Sequence, residues 1–231
     1  MSQISIIIAT LNEAESIGRV VAEMPWDRIA ECIVVDNGST DATASIATAA
    51  GARVIQSPRG YGSAMLAGSN AALPSSHILV YMDGDGSDVV ADFPRLTDPI
   101  LQNEADFVIG SRIRGKREPG SMLPSQLLAA HLVGVALRIF QGVTYTDMGA
   151  FRAIRRDSLE ALYMSELTYG WNLEMQIKAA QHGLRILEIP VDYRVRFGGV
   201  SKVAGDWRAS IKAALRIMEV LMRVGLRRRK A

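Results

Sequence analysis

The sequence predicts an α/β protein with a doubly wound, mostly parallel sheet flanked by helices. Three observations carry that expectation. Short apolar runs at 4–9, 32–35 and 78–82, rich in β-branched residues, read as buried strands. Segments with apolar residues at helical spacing separate them, so strand and helix alternate. Each of the first four strands runs into a polar loop, and a parallel sheet with right-handed crossovers gathers such loops at one edge.

The first strand carries Ile6-Ile7-Ile8. The helix after it has Ile17, Val20, Val21 and Met24 on one face and Pro25 beyond its end. Asn12 stands where a cap for that helix is expected, with Glu13 and Glu15 in its first turn. The second strand opens into Asp36-Asn37-Gly38-Ser39-Thr40-Asp41, and the helix over 42–50 ends at Gly51. The third strand, 53–56, leads into Ser57-Pro58-Arg59-Gly60-Tyr61-Gly62 and a helix of small residues. The fourth stops at Asp83-Gly84-Asp85-Gly86-Ser87.

Beyond it the pattern gives a helix over 93–102 and a strand over 105–109 closed by Gly110-Ser111-Arg112. A basic loop over 113–124 is expected to be mobile, and a helix over 125–140 follows. Residues 146–152 lie between that helix and the next, and Tyr169-Gly170-Trp171 opens a further helix reaching 182. Two strands, 185–189 and 191–195, flank Pro190. A glycine-containing flexible loop over 197–202 precedes one long helix over 206–224. With no repeat and no linker, residues 1–231 read as a single domain, with an amphipathic helix and basic tail over 206–231.

Composition narrows the function classes. A net charge of +2 provides no basic field of the kind that nucleic acid demands. The single cysteine, Cys32, lies in an apolar run, so no disulfide forms within the monomer, which suits a reducing compartment. No apolar stretch reaches the ~18–20 residues that span a bilayer, and no basic region precedes the first apolar run, so no signal peptide is expected. The phosphate-loop motif of NTPases is absent. Gly60-Tyr61-Gly62-Ser63-Ala64-Met65 imitates a dinucleotide fingerprint, but Met65 replaces its third glycine and it does not follow the first strand.

The candidate chemistry sits in the loops. Asp83 and Asp85 are two carboxylates one glycine apart, and they repel each other unless a cation lies between them. Their oxygens suit Mg²⁺ or Mn²⁺; a plain acidic turn is the alternative. Loops 10–13, 36–41, 59–62 and 83–87 share an edge and can converge on one ligand. An acid of the second loop would bond a base or ribose. Arg59 and a glycine-rich backbone would approach phosphates, and the cation on the aspartates would neutralise them. Asn12, Ser39 and Asp41 each have a second reading as helix caps.

Ala9-Thr10-Leu11-Asn12-Glu13, Val34-Val35-Asp36-Asn37-Gly38-Ser39-Thr40-Asp41, Arg59-Gly60-Tyr61-Gly62 and Met82-Asp83-Gly84-Asp85-Gly86-Ser87 stand in the order of a known pattern. So do Gly110-Ser111-Arg112, Thr146-Asp147-Met148-Gly149-Ala150-Phe151-Arg152, Gly170-Trp171-Asn172-Leu173-Glu174-Met175 and Arg196-Phe197-Gly198-Gly199-Val200-Ser201-Lys202. With these motifs the chain resembles family 2 glycosyltransferases of the GT-A fold, in the dolichyl-phosphate mannose/glucose synthase-like branch. Singly the motifs are weak; together they cover nearly the whole chain.

The resemblance implies a UDP- or GDP-sugar donor, a divalent metal, and inversion at the anomeric carbon. It makes Glu13 and Asp36 the nucleoside-binding acids, with Thr10 and Asn12 in the substrate-binding set, and Asp83 and Asp85 the metal- and ribose-phosphate-binding pair. Arg59 and Gly62 face phosphate, Arg196 and Lys202 close on the pyrophosphate, and Asp147 belongs to the substrate-binding set. Glu174 resembles a catalytic carboxylate; a helix-dipole acid is its other reading. Arg112 is either an acceptor-phosphate ligand or an exposed loop arginine.

The acceptor expected from this branch is a polyprenyl phosphate. Relatives tend to carry Gln-Arg-x-Gly-Asn after the basic loop, where this chain has Gln126-Leu127-Leu128-Ala129-Ala130. The last helix, with Trp207, Ile211, Ala214, Leu215, Met218, Leu221 and Met222 on one face and Arg208, Lys212, Arg216 and Arg223 on the other, is expected to lie on an anionic membrane surface. The location implied is cytoplasmic, peripheral on the inner face of the membrane. Packing on its own domain or in a homodimer is the alternative for that helix. The rival functions are transfer to a hydroxyl acceptor, a nucleotidyltransferase making a nucleotide sugar, and a catalytically dead membrane-binding module.

Overall fold

Four parallel strands, β1 (Ile4–Thr10), β2 (Glu31–Asp36), β3 (Arg53–Gln56) and β4 (Ile78–Asp83), form one half of the sheet, in the order β3-β2-β1-β4. A computed structural model describes residues 3–199 and 215–225. The other half adds β5 (Phe107–Ser111), β6 (Arg152–Arg155) and β7 (Ile186–Pro190), and the full order is β3-β2-β1-β4-β6-β5-β7. Of these seven strands only β6 runs antiparallel, wedged between β4 and β5.

The period-2 geometry of β1 divides the core. Ile6 and Ile8 join the apolar layer under α1 (Ile17–Ala22), α2 (Thr43–Ala49) and α4 (Phe93–Leu101). Ile7 points to the opposite layer under α3 (Tyr61–Ala71), α5 (Pro124–Gln141) and α7 (Trp171–Gln181). A short α6 (Arg156–Ala161) follows β6. The register pairs Thr10 with Asp36 and Ala9 with Asp83, so the polar loops after β1, β2 and β4 share one edge.

Several expectations need correcting. β6 was not anticipated: Arg-Ala-Ile-Arg does not look like a buried strand. Yet Arg152 is fully buried, its guanidinium donating to the carbonyls of Gly149 and Asn172. Residues 191–195 are not a strand; Tyr193 makes only isolated bridges with Asp88 and Arg117. Asn12 does not cap α1, which starts five residues later; it adopts φ 52° and its Oδ1 accepts the Thr40 amide at 2.8 Å.

The basic loop is strapped down. The Lys116 amide donates to Asp192, that of Glu118 to the Tyr193 carbonyl, and the Glu118 carboxylate accepts the Val195 amide.

Of the C-terminal helix, 215–220 are α-helical and Leu221–Gly225 continue as a π-helical turn. Trp207, Arg208, Ile211, Lys212 and the basic tail lie outside the described residues. Arg216 is half-buried and Arg223 is exposed. Both pair with the buried carboxylate of Glu166, at 2.8 and 3.1 Å. Among the described residues no helix is long and apolar enough to cross a membrane.

Candidate active site

The floor of the site is the turn after β4. Asp85 accepts the Ser87 amide (3.0 Å) and hydroxyl (2.6 Å) through Oδ1, which fixes its rotamer. The Asp83 amide donates to Asp88 Oδ2 at 3.0 Å. Asp88, not singled out from sequence, is buried directly behind the pair. Burial raises the Asp83 carboxyl well above its ordinary range, and the charges of Asp88 and Asp85 push the same way. Burial likewise pushes Asp88 up to about 7. The signal that could have found it is a third acid three residues after Asp85.

The two glycines of this turn serve packing. A Cβ on Gly84 would meet Thr10 Cγ2 at 2.7 Å. Gly86, at φ +80°, leaves room for the ring of Phe197, which lies between the guanidiniums of Arg19 (3.7 Å) and Arg194 (4.2 Å).

Around this floor stand the other acids. Glu13 is buried, its amide bonded to Thr43 Oγ1. Asp36 accepts the Ser39 amide and the Gln56 amide group, each at 2.9 Å. Burial alone would raise the Asp36 carboxyl, but these hydrogen bonds outweigh it and hold it below the ordinary range. Thr10 is also at this edge, but its hydroxyl donates to the Val35 carbonyl.

Arg196 reaches in from the 192–199 segment, 3.1 Å from Glu13 Oε1 and 3.4 Å from Asp85 Oδ2. That segment is pinned to the acidic turn by the Arg194 amide on the Ser87 carbonyl and the Phe197 amide on that of Asp85. Lys202 lies outside the described residues.

The third loop is organised differently from expectation. Asn37 clamps it, donating to the Pro58 and Gly60 carbonyls and accepting the Gly60 amide at 2.8 Å. The Gly62 and Ser63 amides donate to the Thr168 and Leu167 carbonyls, and a Cβ on Gly62 would collide with the Glu166 carbonyl. Gly62 thus packs against a neighbouring backbone, and its N–H is already bonded. Arg59 is exposed beside Gly38.

Arg112 and Asp147 form one bidentate pair, Nε to Oδ2 and a terminal nitrogen to Oδ1, both 2.7 Å. The Arg112 amide adds a third contact to Oδ2. Arg112 is not the exposed loop arginine of the second reading, and its fork is engaged by a carboxylate. Burial would raise Asp147, and Arg112 more than reverses this. The pair lies beside the acidic turn, with Arg112 over the Tyr193 ring at 5.0 Å. Its positive charge pulls Asp83 and Asp88 down against their crowding.

Glu174 is elsewhere. It is fully buried and accepts the Ser165 amide and hydroxyl, the Glu166 amide and Lys178 Nζ, at 2.7–3.0 Å. Both oxygens are engaged in tying 165–166 to α7.

The donor set fits a hard divalent cation. Among the described residues no three His, Cys, Asp or Glu side chains form a metal cage. Asp83 and Asp85 offer carboxylate oxygens from one turn, crowded by Asp88 and Glu13. Mg²⁺-type ions are held in this way, by one or two carboxylates with waters and substrate phosphates completing the shell.

A mostly parallel sheet with one reversed strand and a paired-aspartate turn at its carboxyl edge defines a GT-A glycosyltransferase fold. The chain belongs to glycosyltransferase family 2: residues 5–163 match the family described as Glycosyl transferase family 2. It falls in the dolichyl-phosphate mannose synthase-like branch.

The chain is 36% identical over 221 residues to an uncharacterized glycosyltransferase of Mycobacterium tuberculosis, covering 94% of this chain and 97% of that one. It is 32% identical over 222 residues to the undecaprenyl-phosphate mannosyltransferase of Micrococcus luteus, covering 86% of each. In fold it is similar to glucosyl-3-phosphoglycerate synthase from Mycobacterium tuberculosis, solved with Mn²⁺, UDP and glucosyl-3-phosphoglycerate. The TM-score is 0.78 at 23% identity, over 97% of this chain and 81% of that one.

Proposed function

We propose that the protein transfers a hexosyl group from a UDP- or GDP-sugar to a polyprenyl-phosphate-type acceptor, with inversion at the anomeric carbon. The observation that carries the donor half is the acidic edge. Glu13, Asp36, Asp83 and Asp85 come from three strand ends, and Arg196 stands over them. Asp36, held ionised by its hydrogen bonds, accepts from the base or ribose. Asp83 and Asp85 hold Mg²⁺ or Mn²⁺, which supplies charge neutralisation for the departing diphosphate. Arg196, with Lys202, turns from the carboxylates to the diphosphate oxygens.

An oxygen of the acceptor phosphate attacks the anomeric carbon as the bond from that carbon to the diphosphate oxygen breaks. The electron pair leaves with the nucleoside diphosphate. A phosphate monoester has a second pKa of about 6 and attacks as an anion, so no proton has to be removed. The burial and full engagement of Glu174 agree with a reaction that does not use it as base. With Arg112 occupied by Asp147, the exposed Lys116 and Arg117 of the strapped loop are left to hold the acceptor phosphate. The name of the Micrococcus luteus relative supports this class of acceptor. The enzyme would work as a peripheral protein on the inner face of the membrane.

The test is a panel of UDP- and GDP-hexoses offered with Mn²⁺, with an undecaprenyl phosphate or a hydroxyl sugar as acceptor. One donor should yield a lipid-phosphate-linked hexose of inverted configuration. Transfer to the hydroxyl sugar alone would overturn the acceptor assignment.

A further inference from the structure

The helix α5 is apolar on both sides, and among the described residues only one side is covered. Ala130, Val133 and Leu137 are buried in the sheet-facing layer. On the opposite side Leu128, Leu132, Val135 and Ile139 follow i, i+4, i+7, i+11 spacing and form one stripe. Leu128 and Leu132 are each 59% exposed and Ile139 71%. The 18 residues of α5 contain one charge, Arg138, and no acid. The replacement noted in the sequence, Leu127-Leu128-Ala129-Ala130 in place of a pattern with Arg, Gly and Asn, adds Leu128 to this stripe.

The C-terminal helix repeats the arrangement. Val220, Leu221 and Val224 are buried, whereas Leu215, Met218 and Met222 are exposed. Gln141 at the end of α5 donates to the Gly225 carbonyl, so the two helices meet at their ends. Contiguous open apolar surface of this kind marks an interaction site.

The charges around the stripe indicate what covers it. Arg114, Lys116 and Arg117 are exposed in the loop before α5, and Arg138 lies in its last turn. In sequence, Arg227-Arg228-Arg229-Lys230 follow the C-terminal helix. A second copy packed on α5 would meet no acid of that helix to pair with these cations. An anionic lipid surface complements them, and apolar side chains flanked by cations are the composition of helices that lie in a bilayer interface.

Resting on the reading of the acceptor as a lipid phosphate, we propose that the outer face of α5, continued by the 215–225 helix, docks on an anionic bilayer. The loop ahead of α5 is bonded to 192–195, beside the acidic turn. Docking through α5 therefore sets the active-site edge against the headgroups, where a lipid phosphate is presented.

The test uses the full chain and its Leu132→Glu and Ile139→Glu variants, with Leu128→Ser as a milder second change. Each is checked for fold by thermal melting and for mass by light scattering. Co-sedimentation is measured with phosphatidylcholine vesicles, with and without phosphatidylglycerol. Transfer to a short, water-soluble prenyl phosphate is measured in parallel. The wild type should bind the anionic vesicles, less so as salt is raised. The glutamate variants should lose at least ~10-fold in vesicle affinity while transfer to the soluble acceptor stays within ~2-fold, an expectation set by burying one apolar side chain.

Variants that sediment like the wild type would overturn the proposal and place any membrane contact in 200–214 or 226–231. A wild-type dimer that the variants split, with vesicle binding unchanged, would overturn it in favour of a second copy. Loss of vesicle binding in the variants supports the docking face even if no prenyl phosphate is glycosylated; that last result would instead remove the acceptor reading.

Discussion

Arg196 and Glu13, 183 residues apart in sequence, form an ion pair of 3.1 Å, and the same guanidinium lies 3.4 Å from Asp85. A monovalent cation thus occupies the carboxylate that a divalent metal would use. Removing it should have two opposite effects. Arg196→Ala should raise the affinity for Mn²⁺ alone several-fold, because a competing charge is gone. It should also lower kcat/KM by roughly 10- to 150-fold, the worth of a charge-assisted hydrogen bond of ~1.5–3 kcal/mol to the diphosphate. Mn²⁺ titration without nucleotide, followed by steady-state kinetics, reads both. An unchanged Mn²⁺ affinity would mean the pair does not guard the metal site.

Asp88 gives a pH dependence of definite sign. Its folded pKa of about 7 lies above the ordinary ~3.9 of an aspartate. The folded protein therefore keeps a proton that the unfolded chain releases, and stability falls as pH rises from ~4 to ~7. Asp88→Asn should reduce that slope, to which Asp83 also contributes, and stabilise the metal-free protein at neutral pH by up to about 4 kcal/mol at ~1.4 kcal/mol per pKa unit. Urea melts of both proteins at pH 5 and pH 8 test it. A variant with the wild-type slope would remove Asp88 as the source.

Glu174→Gln should act on folding more than on chemistry. The carboxylate receives three hydrogen bonds from Ser165 and Glu166 and an ion pair from Lys178. An amide in its place sets N–H against N–H, at a cost of ~2–4 kcal/mol. Its folded pKa is depressed, since those hydrogen bonds outweigh burial, so its contribution is present above pH ~4.3 and is lost as pH falls further. The variant should show a lowered Tm with near-normal KM values at a permissive temperature. A dead enzyme with an unchanged Tm would make Glu174 a catalytic base and favour a hydroxyl acceptor.

Arg112→Lys tests the bidentate pair beside the site. A lysine keeps the charge but loses the fork, giving buried Asp147 one side-chain contact where Arg112 now makes two, beside the amides of Arg112 and Met148. Destabilisation of ~1–3 kcal/mol is expected, with donor KM little changed because the donor acids sit on other loops. A selective rise in acceptor KM with full stability would instead assign Arg112 to the acceptor phosphate.

The gathering of Asp36 and Asp83 at one edge was legible because these acids end strands that announce themselves as apolar runs. Asp36 and Asp83 follow Val34-Val35 and Tyr81-Met82, and strand register places them together. The partners of Arg112 and Glu174 were not, because those contacts are long-range and polar. Arg112 meets Asp147 across 35 residues, and Glu174 closes on Ser165 and Glu166 through backbone amides. No periodicity marks those partners. β6 escaped notice for a related reason: a buried arginine satisfied by carbonyls leaves no apolar signature. Gly62 shows the converse, a motif glycine required by a neighbouring backbone.

The central claim is metal-dependent sugar transfer through Asp83 and Asp85. The most direct measurement is transfer of labelled hexose from its nucleoside diphosphate to a polyprenyl phosphate. It compares wild type with Asp85→Ala, in Mn²⁺ and in excess chelator. The expected result is lipid-linked product only from wild type with metal, and from Asp85→Ala a folded protein with activity at background and weakened nucleotide-sugar binding. Full transfer by wild type in chelator, or by Asp85→Ala in Mn²⁺, would contradict it.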